Sequence, residues 1–274
     1  MRKSAPTITS LKEAIARIDG TRERLAVQNG QDRLRFGIPP IEAITGGGIA
    51  LNDMHEIRCS LSRDIGCAFG FLLGLLSRLD ETRPIAWICE PSTVADTGKL
   101  FPDGLSYFGL ESSRMFHITP LHLADAFWAS GEAARTGGVS AIIFHIKGNP
   151  GTFDLSVSRK LALRAQASGT PLFILRQAGE EEASSAATRW HVSPAPSLPD
   201  ETYHKGLGHM RLRLTLEKNR NGQLGQWLVA WNPKTRSFEN AAKSPANTNS
   251  RMPLYPSANR SYRPQEMGKI MAVK

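Results

Sequence analysis

The sequence predicts a doubly wound α/β fold: a mostly parallel sheet with helices on both faces, preceded by an N-terminal helix and closed by a C-terminal antiparallel hairpin. Two observations predict it. Short, continuous apolar runs recur between helical stretches, which is how strands read when both faces of a parallel sheet are covered. Late in the chain the pattern changes to strict alternation around a turn, the mark of an antiparallel pair with one wet face. With 274 residues, 41% of them hydrophobic, the chain can bury a sizeable core.

The elements follow in order. Ser10 and Glu13 have capping-box spacing, and Leu11, Ile15, Ile18 and Leu25 recur behind them at helical intervals with charges between. This helix is amphipathic and needs a surface, either its own body or a neighbouring subunit. A short apolar stretch over 38–44 is broken by Gly46, Gly47 and Gly48. A strand is expected over 54–59, then a polar turn over 60–64. Residues 66–79 are apolar nearly all round, as in a helix buried against a sheet. Further strands are expected over 85–89, 115–119, 141–146 and 171–175. Helices are expected over 123–135 and 155–167, ended by Gly137 and Gly169. Leu212, Leu214 and Leu216 then alternate with Arg211, Arg213, Thr215 and Glu217. Asn221 and Gly222 make a turn, and 226–231 returns.

Charge divides the chain into three. Residues 1–38 are a basic helical segment with 8 Lys/Arg against 4 Asp/Glu, and residues 39–240 are a neutral core with 20 against 20. Residues 241–274 form a tail with 6 against 1, poor in apolar side chains and expected to be disordered when alone. Basic extensions suit nucleic acid or serve as solubilising flanks. No apolar stretch is long enough to span a bilayer, and the first residues lead into a charged helix, so membrane insertion and secretion are not expected. Cys59, Cys67 and Cys89 form neither a ligand pair nor an even framework, and they read as reduced thiols of a cytoplasmic protein. No His/Cys cluster has metal-ligand spacing.

The strand over 54–59, the turn and the buried helix stand where nucleotide-binding α/β domains carry a phosphate loop, G-x-x-x-x-G-K-[ST]. The length is right and the chemistry is not. Cys59 takes the first glycine position, and Asp64, Ile65 and Gly66 replace Gly, Lys and Ser/Thr. Asp64 puts negative charge where a triphosphate would lie, Ile65 neutralises nothing, and Gly66 offers no hydroxyl to Mg²⁺. The strand that should end in a magnesium-binding Asp carries His145, and a neutral imidazole does not replace a carboxylate for a hard cation. Glu90 is a strand-end carboxylate without a phosphate cradle to serve. Arg58 or Arg63 could pair a phosphate, but neither repairs the repulsion at Asp64.

The order of these features resembles a known family. A short helix is followed by the glycine-rich stretch 37–49, by His55-Glu56-Ile57, by an altered phosphate loop and by a buried helix, which is similar to the RecA-like core of recombinases. Residues 100–110, the helix with Asp125, Trp128, Glu132 and Arg135, and the hairpin with 216–222 and 227–231 are more closely similar to the ImuA family. Its members are RecA-related accessory proteins of bacterial mutagenesis cassettes. The likeness spans roughly 10–239. It implies a RecA-like core at 39–240 with a degenerate phosphate loop, and a role in SOS-induced translesion synthesis. The partners it implies are ImuB, an inactive relative of Y-family polymerases, and an error-prone replicative-type DNA polymerase.

The expected function is a non-enzymatic adaptor without a cofactor, bridging ImuB and the polymerase. The alternatives are a RecA-filament regulator, a damage-inducible cell-division inhibitor, and a weak ATPase with an unusual phosphate loop. Three segments are candidates for contacts. Leu11, Ile15, Ile18 and Leu25 could dock on a second copy. Arg211, Arg213, Lys218 and Arg220 could meet single-stranded DNA or an acidic partner, or form a solvated strand face. In the tail, Arg251, Arg260 and Arg263 interleave with Tyr255 and Tyr262.

Overall fold

The structure, a computed structural model, describes residues 33–79, 82–197, 206, 208–220 and 222–241. The expected N-terminal helix and the tail beyond Ala241 lie outside the described residues.

A small antiparallel pair, β1 (Arg33–Leu34) and β2 (Ile49–Ala50), brackets the first helix, α1 (Pro39–Thr45). Pro39 and Pro40 open α1, where a missing N–H costs nothing. Gly46 ends it in the left-handed region at φ 71°. Gly48 has φ 129° and lies so close to the Leu34 carbonyl that a side chain would overlap it. Glycine is therefore required at this turn.

The main sheet contains β3 (Met54–Arg58), β4 (Ile85–Cys89), β5 (Met115–Ile118), β6 (Ala141–Lys147), β7 (Leu172–Gln177), β8 (Thr188–Ala195), β9 (Arg211–Asn219), β10 (Gly225–Asn232) and β11 (Ser237–Asn240). Its order is β11-β10-β9-β8-β3-β7-β6-β4-β5. From β8 to β5 all neighbours are parallel; from β8 to β11 they are antiparallel. The helices are α2 (Ile65–Leu76), two short ones, α3 (Pro91–Thr97) and α4 (Pro102–Tyr107), then α5 (Leu123–Thr136) and α6 (Leu155–Ser168). One core joins α2 and α4 to one face; a second joins α5 and α6 to the other.

The expected hairpin is present and belongs to a larger antiparallel wing, because β8 and β11 extend it. Strand β8 has no apolar signature: Arg189 is buried inside it by ion pairing, and Pro194 sits where the strand has passed the end of its pairing with β3.

Helix α2 spans both halves of this sheet. A Cβ at Gly70 would lie 2.5 Å from the sulfur of Met210, and one at Gly74 would lie 2.5 Å from Phe238 and 2.9 Å from Trp231. These glycines let the helix settle onto the antiparallel wing. Gly74→Ala is expected to cost about 1–3 kcal/mol by overpacking, against the small gain in helix propensity, and urea unfolding measures it.

Candidate functional site

The altered phosphate loop begins where β3 ends. Cys59 is buried, its N–H donates to the Arg176 carbonyl (3.2 Å), and its own carbonyl accepts from Gly179 (3.1 Å). These bonds pin the loop to the end of β7. The chain then makes one 3-10 turn, Ser62–Asp64, and enters α2. Ile65, at the lysine position, is 8% exposed and packs into the core, so the side chain that would reach a phosphate points into the protein. Asp64 precedes α2 without capping it. Gly66 is exposed and carries no hydroxyl.

Around the loop, the polar groups are tied to one another. The Gln177 side-chain amide donates to the Ser62 hydroxyl and to Asp96 (both 3.3 Å), and Asp96 pairs with Lys147 at 2.6 Å. Ser60 meets His191 Nε2 at 2.9 Å. Arg58 donates through Nε to Glu217 (2.7 Å), pairs with it again through Nη2, and reaches the Gly179 carbonyl (3.0 Å). Arg58 is thus engaged within the fold, while Arg63 is exposed on the loop. Glu90 is also held: Oε1 accepts from the Ser92 hydroxyl and Oε2 from the Lys147 N–H, each at 2.8 Å.

His145 lies on β6, in register with Cys89 of β4, and is 1% exposed. Phe69 of α2 stacks edge-on to it at 5.3 Å, Cys89 Sγ lies 4.0 Å from Nδ1, and Nε2 has no hydrogen-bond partner among the described residues. Burial pulls its pKa down to about 4, outweighing a favourable contribution from Gln177. The ring is therefore neutral at pH 7. Burial also pushes the Cys89 thiol up to about 12 and raises Cys59 and Cys67, so these sulfurs are thiols rather than thiolate nucleophiles.

A RecA-like fold implies a magnesium nucleotide at this edge. The residues present do not fit one. Asp64 repels phosphate, Ile65 is in the core, no hydroxyl follows it, and a neutral buried imidazole replaces the metal-binding carboxylate. Among the described residues, no group of three or more His, Cys, Asp or Glu side chains could hold a metal ion.

The four late cations are spread along β9 and just beyond it, and three are engaged internally. Arg220 pairs with Asp53, which also accepts from its Nη2 at 3.3 Å; Lys218 donates to the Ser184 carbonyl. Arg211 donates to the carbonyls of Pro196 (3.3 Å) and Ala241 (2.9 Å). Arg213 is exposed. Leu11, Ile15, Ile18, Leu25, Arg260 and Arg263 lie outside the described residues.

One charged cluster has no counterpart in the sequence reading. Glu56, in the middle of β3, is fully buried. Its carboxylate accepts from Arg176 Nε (3.2 Å), Arg189 Nε (2.7 Å) and the Ser184 hydroxyl (2.8 Å). Arg176 also pairs with Glu182 at 2.5 Å and stacks over Phe153 with 4.7 Å to the ring centroid. Arg189 reaches Glu181 at 3.3 Å. A carboxylate at the centre of a strand expected to be covered on both faces was the available signal, since such a group persists only when paired.

No protein-family model matches the chain. It is 29% identical over 213 residues to proteins named Protein ImuA from two strains of Caulobacter vibrioides, a match covering 72% of this chain and 82% of each relative. The crystal structure of the RadB recombinase superposes with a TM-score of 0.51 at 12% identity, over 76% of this chain and 99% of that one. At that identity the likeness shows the fold alone, and the fold is RecA-like. The order of the motifs, the extent of the sequence match and the architecture point the same way: the chain is similar to proteins of the ImuA family and has a RecA-like fold.

Proposed function

We propose that this protein is a non-enzymatic adaptor in SOS-induced, error-prone translesion DNA synthesis, bridging ImuB and a replicative-type mutagenic polymerase in the cytoplasm. Its similarity to Protein ImuA and its RecA-like fold support a role in the ImuA/ImuB mutagenesis system. The adaptor reading rests on one observation: Ile65 occupies the phosphate-lysine position and is packed in the core, behind a loop that carries Asp64. A RecA-like body without that lysine has lost the means to couple nucleotide turnover to filament growth, and what it retains is surface. Among the described residues no helix is long and apolar enough to cross a membrane.

Titration of the purified protein with a fluorescent ATP analogue and Mg²⁺ tests the reading. No saturable binding is expected in the micromolar range. Restoring the motif letters with Asp64→Gly, Ile65→Lys and Gly66→Thr is expected to leave damage-induced mutation frequency unimproved. Micromolar binding by the wild type, or a large gain in the triple variant, would favour a weak ATPase instead. Co-purification with ImuB and the polymerase, with and without single-stranded DNA across a salt series, tests the bridging itself.

A further inference from the structure

We propose that the outer surface of α5 and α6 is a docking site for an acidic amphipathic helix of a partner protein. Helix α6 carries Arg159, Lys160 and Arg164 and no acidic residue. All three cations are exposed, and none has an ion-pair or hydrogen-bond partner among the described residues. They differ in this from Arg211, Lys218 and Arg220, which are tied to their own fold. The sheet-facing side of α6 is made by Ser158, Leu161, Ala162 and Ala165. Its outward side places Leu155, Arg159 and Leu163 in line at i, i+4 and i+8, with the two leucines 53% and 52% exposed.

The neighbouring helix adds an aromatic group. Trp128 of α5 is 67% exposed. Both helices connect strands of the parallel part of the sheet, so they run side by side in the same direction. Gly131 lies under the Arg164 guanidinium, where a side chain would overlap it. Trp128 and Lys160 each lie one turn before this contact on their own helices. Isolated exposed leucines are ordinary, but a tryptophan, two leucines and three unpartnered cations on one pair of helices are the ingredients of an interface anchor.

Charge complementarity selects the occupant. Carboxylates satisfy the cations of α6, apolar side chains cover Leu155, Leu163 and Trp128, and the seam between two parallel helices suits a third helix. Nucleic acid fits less well, because the aliphatic Leu155 and Leu163 give a phosphate backbone nothing to bind; Asp125 and Glu132, about one turn either side of Trp128 on α5, confine the partner's carboxylates to the α6 side. The inference rests on the adaptor reading only in taking the partner to be a protein.

The test uses the full chain and a fluorescein-labelled helical peptide of roughly 18 residues, with leucines at i, i+3, i+4 and i+7 and glutamates elsewhere. Fluorescence anisotropy should report saturable binding, weakened about tenfold or more by Trp128→Ala and by Lys160→Glu with Arg164→Glu. A peptide with lysines in place of the glutamates should prefer the charge-reversed variant. These positions are exposed, so circular dichroism and melting temperature should stay as in the wild type, and Leu163→Ser provides a second variant if one misfolds. Failure of the acidic peptide to bind, equal binding by all variants, or preferential binding of a labelled oligo-dT through the same residues overturns the proposal. The ATP titration is independent, so failure of this surface and failure of the adaptor reading give different results.

Discussion

Glu56→Gln is expected to cost about 3–5 kcal/mol of folding stability, the usual effect of removing one member of a buried charged network. The carboxylate is fully buried between the guanidinium groups of Arg176 and Arg189, themselves 1% and 4% exposed. Without it, two cations in the sheet interior keep Glu181, Glu182, the Ser184 hydroxyl and carbonyl oxygens. Those two carboxylates are 61% and 32% exposed, so water screens them more strongly. Glutamine keeps the shape and one acceptor, so the loss reports charge rather than volume. Urea unfolding measures it. Replacing Glu56, Arg176 and Arg189 together with apolar residues should recover much of the loss, because a buried ion network is compared with packed hydrophobes of similar volume. A single variant within about 0.5 kcal/mol of wild type would mean the network is solvated in solution.

Acid is expected to destabilise the protein from about pH 6.5 downward. His55 and His145 are buried, and both are held near pKa 4, chiefly by desolvation. His55 stays neutral while meeting the Thr188 hydroxyl and the Ala50 carbonyl, each at 2.8 Å. An unfolded histidine titrates near 6.5. Between pH 6.5 and about 4 the unfolded chain therefore binds more protons than the folded one, and stability falls as pH falls through that window. For His145 the full loss is on the order of 3 kcal/mol below pH 4. The difference between wild type and His145→Gln in unfolding free energy from pH 7.5 to 4 isolates this contribution. Parallel curves for the two proteins would show that His145 is solvated or already charged in the native state.

These two predictions fall on different sides of what could be read in advance. The parallel strands, the helices α2, α5 and α6 and the hairpin were legible because each has the periodicity of its own environment: continuous for β4 and β6, alternating for β9. The altered phosphate loop was legible because a cradle for phosphate needs particular residue types at fixed spacing, and Asp64, Ile65 and Gly66 are the wrong types wherever the backbone goes. Strand β8 was not legible, because its burial depends on a carboxylate 133 residues away in sequence. The engagement of Arg211, Lys218 and Arg220, and the freedom of Arg159, Lys160 and Arg164, were equally hidden. A cation looks the same in a sequence whether its partner is a carboxylate across the sheet, a carbonyl on the next strand or nothing. Pattern records which surfaces leave water; only the three-dimensional arrangement brings distant charges within the few ångströms over which they neutralise one another.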